Sequence, residues 1–259
     1  MFPNVASNQI EIIAFALILI RVTAFLVSWP VFSAFSVPQH TKILLGVALT
    51  VLLFPLIPRD GISAEALSDN LIWLVIREVF IGLCLGFLTR LFFFAVAMGG
   101  NFVATSMGLA NAQIFNPTMN AESTTVETFF TTIATLLFLT LNGHHIFLTG
   151  LVDSFTAIPL SPASLNLLVF KESGHWLQII MVAGVKISAP VMASIFFMNV
   201  VMGIVGRAIP QINVFVTSLP INLMVGFVVC ILMLPLLMVE MDGLLQGMSV
   251  ELFKFIKGF

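Results

Sequence analysis

Hydrophobic residues run along this chain in long blocks separated by short polar breaks. A first helix is predicted from about Ile10 to Leu26, with Arg21 inside it. The Trp29-Pro30 step ends it, because the residue before a proline is pushed out of helical geometry. After an extended stretch from Phe32 to Pro38, a second helix is predicted from about Thr41 to Leu56, bounded by Pro38, Pro55 and Pro58. At the usual rise it covers only about 24 Å, short for a full bilayer span. The stretch from Arg59 to Asn70, with Arg59, Asp60, Glu65 and Asp69, reads as a solvated loop whose Ser68 or Asp69 can cap the next helix. A third helix is predicted from Leu71 to Met98, carrying Arg77, Glu78 and Arg90. Its Gly82 and Gly86, four apart, let another backbone approach closely, so a helix partner is expected on that face.

The Gly99-Gly100 pair is expected to break this helix. The following run to Asn120 is free of charge but flecked with Asn101, Thr105, Ser106, Asn111, Gln113, Asn116, Pro117 and Asn120. Irregular backbone at membrane depth survives only where protein or a water-filled cavity satisfies it, so this loop lies outside the bilayer or deep in a complex. Thr124 to Glu127 has capping-box spacing and starts a fourth helix reaching about Leu141. Asn142-Gly143-His144-His145 stops it, and a shorter apolar piece runs from Ile146 to Ile158 before the Pro159-Leu160-Ser161-Pro162 turn. Lys171 to His175 makes a second polar interruption. The fifth long helix, Trp176 to Val205, contains Lys186 and Pro190. A polar turn around Pro210-Gln211 leads to a sixth apolar run, Val214 to Met241, with Pro220 and Pro235, so the last two runs form a hairpin. The tail from Asp242 to Phe259 is amphipathic and suited to a membrane surface.

Composition turns this pattern into a class. Of 259 residues, 59% are hydrophobic and 8% charged, and mean hydropathy is +1.14, whereas soluble domains carry about a quarter charged residues. The stretches Leu91 to Ala121 and Ala208 to Val239 hold no charge at all, more than the roughly 20 residues that span a bilayer. The fold class is therefore an all-α membrane protein of about six long, proline-broken apolar helices in hairpins. A net charge of -2 without any basic run leaves no surface for counterion release, which excludes nucleic acid as a main partner. Cys84 and Cys230 lie in apolar runs and read as small buried hydrophobes without a redox role. The amino terminus lacks the basic segment of a cleavable signal, so the first helix is expected to remain. Trp29, Trp73 and Trp176 stand at segment edges, as interfacial anchors or as packing residues.

Candidate chemistry is sparse. His144 and His145 are adjacent and diverge on a helix, and His40 and His175 have no ligand at metal spacing. No HExxH, GxSxG or Walker pattern occurs, so no catalytic residue, metal or cofactor is expected and the chain does not read as an enzyme. Charges inside apolar segments cost several kcal/mol unless paired or watered. Arg21, Arg77, Glu78, Arg90, Asp153 and Lys186 are thus either functional or members of structural ion pairs. Thr124, Thr128, Thr131 and Thr135 fall on one helical stripe beside Glu127, which suits a conduit wall or hydroxyls bonded back to their own helix.

Several features together resemble one family. They are the early Arg21, the Ser36-Val37-Pro38 turn followed by Lys42, and Arg77-Glu78 leading into Gly82 and Gly86. Farther on come Asn142-Gly143-His144-His145, Ala189-Pro190-Val191 and above all the stretch from Gly206 to Phe215, Gly-Arg-Ala-Ile-Pro-Gln-Ile-Asn-Val-Phe, before Leu219-Pro220. In order and spacing they resemble the FliR family of flagellar export gates, called SctT in injectisomes, over almost the whole chain. The resemblance implies a single copy of this chain assembled with FliP-like and FliQ-like subunits and other export apparatus proteins. Together they would form a helical cone in the bacterial inner membrane, in the flagellar basal body, through which unfolded substrates leave.

It also implies a single domain, residues 1–259. Residues 1–175 would be FliP-like, 176–241 a FliQ-like hairpin and 242–259 an amphipathic tail. The segment at about 106–122 would plug the closed pore, with Met107, Phe115 and Met119 as deformable apolar fillers, Asn111, Asn116 and Pro117 shaping the loop, and Gly108 also among the plug residues. An ordinary connecting loop is the alternative. Gly82, Gly86, Arg207, Pro210 and Gln211 would serve subunit packing, and Arg21, Arg77, Glu78, Arg90 and Lys186 packing or assembly. A secondary transporter or channel for a small solute is the competing function, since it too would show broken helices and intramembrane charges, normally with repeat symmetry.

Overall fold

The structure, a computed structural model, describes residues 3–30, 38–57, 70–109, 124–160, 171, 173–211 and 213–258, with side chains from Ile10 onward. The expected extended stretch before Pro38, the charged loop before Asn70 and most of the expected plug lie outside the described residues.

The described residues form eight α-helices. They are α1 (Pro3–Ser28), α2 (Gln39–Leu53), α3 (Leu71–Met107), α4 (Thr125–Thr140), α5 (Gly143–Ala157), α6 (Ser173–Ala208), α7 (Val214–Leu232) and α8 (Leu234–Gly258). Four of them hold segments long and apolar enough to cross a bilayer: Ile10–Ser28, Leu71–Met107, Gly174–Ala208 and Val214–Leu232. The broken pair α4 and α5 makes at most a fifth span, and α2 is shorter than the test requires. Among the described residues, about six apolar runs thus yield four helices, or up to five with the broken pair, long and apolar enough to cross.

Helix ends follow local chemistry. At the start of α4 the capping box is complete: the Thr124 hydroxyl accepts from the Glu127 N–H at 3.2 Å, and the Glu127 carboxylate accepts from the Thr124 N–H at 3.4 Å. The Asn213 side chain accepts from the Val216 N–H at 3.4 Å to open α7. Between α4 and α5, Asn142 adopts the left-handed conformation at φ 57°, which Asn tolerates better than most residues. Asn142→Gly is therefore expected to leave thermal stability nearly unchanged. Asn142→Val should lower it by about 1–2 kcal/mol, a difference that a melting curve of the purified protein resolves.

Three expectations are corrected. Gly99-Gly100 does not end α3, which continues to Met107. A Cβ at Gly99 would stand 2.9 Å from Ile187 Cγ2, and one at Gly100 would stand 2.8 Å from the Glu127 Cα. These glycines make room for α6 and α4 instead of breaking their own helix. Pro190 and Pro220 lie inside continuous α6 and α7. The sixth run does split near Pro235, at Met233, but Pro235 sits in the first turn of α8, where its missing N–H costs nothing. The tail is accordingly not a separate surface helix. It is the second half of α8, with Leu252, Phe255 and Ile256 buried. A Cβ at Gly150 of α5 would meet Leu252 Cδ2 at 2.6 Å, so α5 covers the apolar face expected at a membrane surface.

The chain divides into two compact units. One comprises Met1–Leu91, Asn142–Ser173 and Gly247–Phe259. Its α1 packs on α2 and on the first half of α3, around buried Leu17, Val22, Phe25, Leu74, Ile81 and Leu85. Trp29 is buried here beside Phe25, ring centroids 5.1 Å apart, and acts as a packing residue, whereas Trp73 is exposed.

The other unit comprises Phe92–Leu141 and Gly174–Gln246. Phe92, Phe93 and Phe138 cluster with centroids 5.1 to 5.8 Å apart. The expected hairpin is present in α6 and α7. A hydrogen bond of 2.9 Å from the Asn222 amide to Asn199 Oδ1 ties the two helices together. Trp176 is buried at the start of α6. Of the four candidate spans α7 is the least covered by its own chain. Phe215, Met224, Phe227, Val228, Ile231 and Leu232 all stand exposed on it.

Candidate functional site

Three of the charges singled out in the sequence meet in the first unit. Arg21 of α1 and Arg77 and Glu78 of α3 are all buried to 1% exposure or less. Gly82 and Gly86 bring the two helices together. A Cβ at Gly82 would lie 2.5 Å from the Arg21 carbonyl oxygen and 2.8 Å from Ala24 Cβ, and one at Gly86 would collide with Ser28 Oγ and stand 2.9 Å from the Phe25 carbonyl. The expected helix partner on that glycine face is therefore α1 of the same chain. At this short separation Arg21 Nε donates to Glu78 Oε2 at 2.5 Å.

The remaining donors of Arg21 turn to α5. Nη1 donates to the Ser154 carbonyl at 2.9 Å and to Ser154 Oγ at 3.2 Å, and Nη2 donates to the Ile158 carbonyl at 3.0 Å. The guanidinium also lies over the Phe155 ring, 4.1 Å from its centroid. Arg77 Nη2 donates to Glu78 Oε1 at 3.3 Å and to the Pro159 carbonyl. Two cations thus share one carboxylate. The second positive charge is matched by carbonyls at the carboxyl end of α5, where the helix dipole is negative and the last carbonyls lack helical partners. The cluster fastens α1, α3 and α5 at one point, and a planar guanidinium with several fixed donors is what such a three-way joint requires. Ser154 and Phe155 were missed in the sequence, where a serine in an apolar helix was the only signal. The carbonyls carry no residue-type signal at all.

The other candidate residues are not members of this cluster. Arg90 is exposed on α3. Lys186 of α6 lies 3.9 Å from Glu240 of α8. Arg207, Pro210 and Gln211 are exposed at the α6–α7 turn, with Arg207 in the last turn of α6, where a cation suits the dipole. Met107 is fully buried as the last residue of α3, and a Cβ at Gly226 of α7 would meet its Cγ at 2.6 Å and its Cε at 2.7 Å. Gly108 follows in the left-handed conformation at φ 85°. Its N–H donates to the Thr105 carbonyl at 3.1 Å and the Leu109 N–H to the Ala104 carbonyl at 3.0 Å, which is a Schellman end. Asn111, Phe115, Asn116, Pro117 and Met119 lie outside the described residues.

The threonine stripe resolves toward local bonding. Thr124 caps α4, and Thr128, Thr131 and Thr135 donate to the carbonyls of Thr124, Glu127 and Thr131 at 3.1, 3.0 and 2.8 Å. Among the described residues no three of His, Cys, Asp and Glu gather to hold a metal ion. The charge cluster joins α1, α3 and α5, and separately the bonds of Gly108 and Leu109 end α3 after Met107.

Comparison with known proteins places the chain in a family. The family described as bacterial export proteins, family 1, matches residues 12–248, which include the whole charge cluster and the α6–α7 hairpin. The flagellar biosynthetic protein FliR of Bacillus subtilis is 32% identical over 229 residues, covering 87% of this chain and 88% of that protein. The FliR of Pectobacterium carotovorum is 32% identical over 218 residues, 84% of this chain and 83% of its own. That of Escherichia coli is 29% identical over 219 residues, 85% and 83%. Likeness of this extent, from the first span into the last helix, means that the chain belongs to the FliR family of bacterial export proteins.

Proposed function

We propose that this chain is a core subunit of the flagellar type III export gate in the bacterial inner membrane. In this reading one copy assembles with FliP-like and FliQ-like subunits and other export apparatus proteins into the channel for unfolded flagellar proteins. The observation that supports it most is the family match across residues 12–248. The long exposed apolar faces of α6 and α7 are what a subunit would offer to neighbouring helices. Residues 1–175 would be the FliP-like part, 176–241 the FliQ-like hairpin and 242–259 its tail, with no catalytic activity of its own.

Native mass spectrometry of the chain, co-expressed with its genomic neighbours and purified through a tag on it, tests the reading. One copy with several copies of two smaller membrane proteins is the expected result. A lone chain that moves a small solute in vesicles would replace the gate with a transporter.

The segment at about 106–122 serves in this proposal as the plug. The buried Met107 and the left-handed Gly108 form a rigid anchor at its start, and Asn111, Phe115, Asn116, Pro117 and Met119 follow within it. Deleting residues 108–120 is expected to raise ion conductance of the cell membrane while the complex still assembles. Unchanged conductance in an assembled complex would remove the plug from the proposal. Gly82, Gly86, Arg21, Arg77 and Glu78 would then act by holding the subunit's own helices, and Arg90, Lys186, Arg207, Pro210 and Gln211 by contacts beyond it.

A further inference from the structure

Within the second unit, α6 and α7 meet through two asparagine amides that the described residues do not complete. The Asn222 amide donates to Asn199 Oδ1 at 2.9 Å. Asn222 is 7% exposed, yet its own Oδ1 is buried and accepts no hydrogen bond among the described residues. Asn199 is exposed on α6, and its NH2 group takes no part in the bond. An amide side chain has an acceptor oxygen and two N–H donors. In an apolar hairpin each group left open costs free energy until a polar group meets it. Turning both amides round exchanges oxygen for nitrogen and leaves the exposed end open in the same way.

The surface beside Asn199 is shaped for a rigid neighbour. Gly203 lies one turn farther on, on the same face of α6, and a Cβ there would meet nothing within 4 Å. Glycine weakens a helix relative to alanine. At Gly82, Gly99, Gly100 and Gly226 the reason is visible, since another helix of this chain stands against each of them. At Gly203 no described residue makes that approach. A fluid acyl chain fits as well against alanine, so the opening suits a second helix and not lipid. Phe196 and Val200, exposed on the same stripe, flank Asn199 with apolar surface.

We propose that a helix of a neighbouring subunit crosses α6 over Gly203 and sets a serine, threonine, asparagine or glutamine against the Asn199 amide. This rests on the gate reading, in which the exposed face of α6 belongs to neighbouring subunits, and it adds where the contact is centred and what chemistry it carries. Such a side chain both donates and accepts, so it completes the exposed amide in either orientation. A charged group would do so only at a higher desolvation cost. Asn222 holds Asn199 from behind, so one polar contact fixes the register of the two subunits' helices, as a single asparagine does in a coiled coil.

The test uses the chain co-expressed with its genomic neighbours, with a photo-crosslinking phenylalanine derivative in place of Phe196, one turn before Asn199 on the stripe. The expected product joins this chain to a different subunit, at a peptide with a serine, threonine, asparagine or glutamine within one helical turn of the attachment site. A Cβ at Gly203 is unobstructed, so Gly203→Leu should reach the membrane at the wild-type level while the crosslink per copy falls about tenfold. Asn199→Ser, which keeps a hydrogen-bonding group, should retain more of the crosslink than Asn199→Leu. Wild-type yield per copy in Gly203→Leu overturns the proposal. So does capture of lipid alone, of a second copy of this chain, or of a peptide without such a residue. Native mass spectrometry of the same preparation separates the two readings: an assembled complex with any of those failures leaves the gate standing, whereas a chain that purifies alone overturns both.

Discussion

Replacing Glu78 with glutamine is expected to leave little intact protein in the membrane. Glu78 is bonded to both Arg21 and Arg77, and all three side chains are buried. Removing one partner from a buried ionic group costs about 3–5 kcal/mol, because the charge left behind remains desolvated. A domain's whole stability is about 5–15 kcal/mol. The measurement is the steady-state level of the tagged chain in membranes, together with the melting temperature of whatever complex can be purified. Arg21→Lys should fail nearly as badly, since one ammonium cannot serve Glu78, Ser154 and Ile158 at once. Arg21→Leu combined with Glu78→Leu should cost less than the two single changes added together, which identifies the loss as coupling between the pair. A normal level for Glu78→Gln would mean that the carbonyls of Ser154, Ile158 and Pro159 hold both cations unaided.

Gly82→Leu should be comparably damaging for a different reason. The nearest atom to a new Cβ is the Arg21 carbonyl oxygen at 2.5 Å, followed by Ala24 Cβ at 2.8 Å. A backbone atom inside a helix cannot step aside as a flexible side chain does, so α1 itself must move away from α3. Overpacking alone costs about 1–3 kcal/mol. Here the displacement also lengthens the Arg21 to Glu78 bond, whose geometry depends on the same helix separation. Gly82→Ala is expected to fall between wild type and leucine, and loss of motility in soft agar should follow the same order. Wild-type motility and protein level for Gly82→Leu would show that the two helices are free to separate.

Much of the fold was legible because its signals are local. The Thr124 to Glu127 box, the stop at Asn142 and the hairpin turn before Val214 each rest on residues whose chemistry acts within a few positions. Arg21, Arg77 and Glu78 were legible as charges too costly to leave unpaired in an apolar segment. What could not be read was where each glycine and proline finds its neighbours. Gly99 and Gly100 look in sequence like a helix break, and only the presence of Ile187 and Glu127 across the contact turns them into points of close approach. Pro235 looks like a terminator, yet it opens α8 and carries the tail into the core beside Gly150. The partners of Arg21 on α5 are mostly backbone carbonyls, which every residue possesses.

The three-way joint also sets an order of events during synthesis. Arg21 and Glu78 are 57 residues apart, and Arg21 and Ser154 are 133 apart. At a ribosomal pace of roughly 5–20 residues per second, Glu78 follows Arg21 by about 3–11 s and Ser154 by about 7–27 s. The counter-ion of Arg21 is therefore synthesised well before the carbonyls that complete its bonding. The unit that contains it is completed only when the last stretch, Gly247–Phe259, leaves the ribosome. The bonding of this early charge is thus completed in steps, first by Glu78 and later by the end of α5.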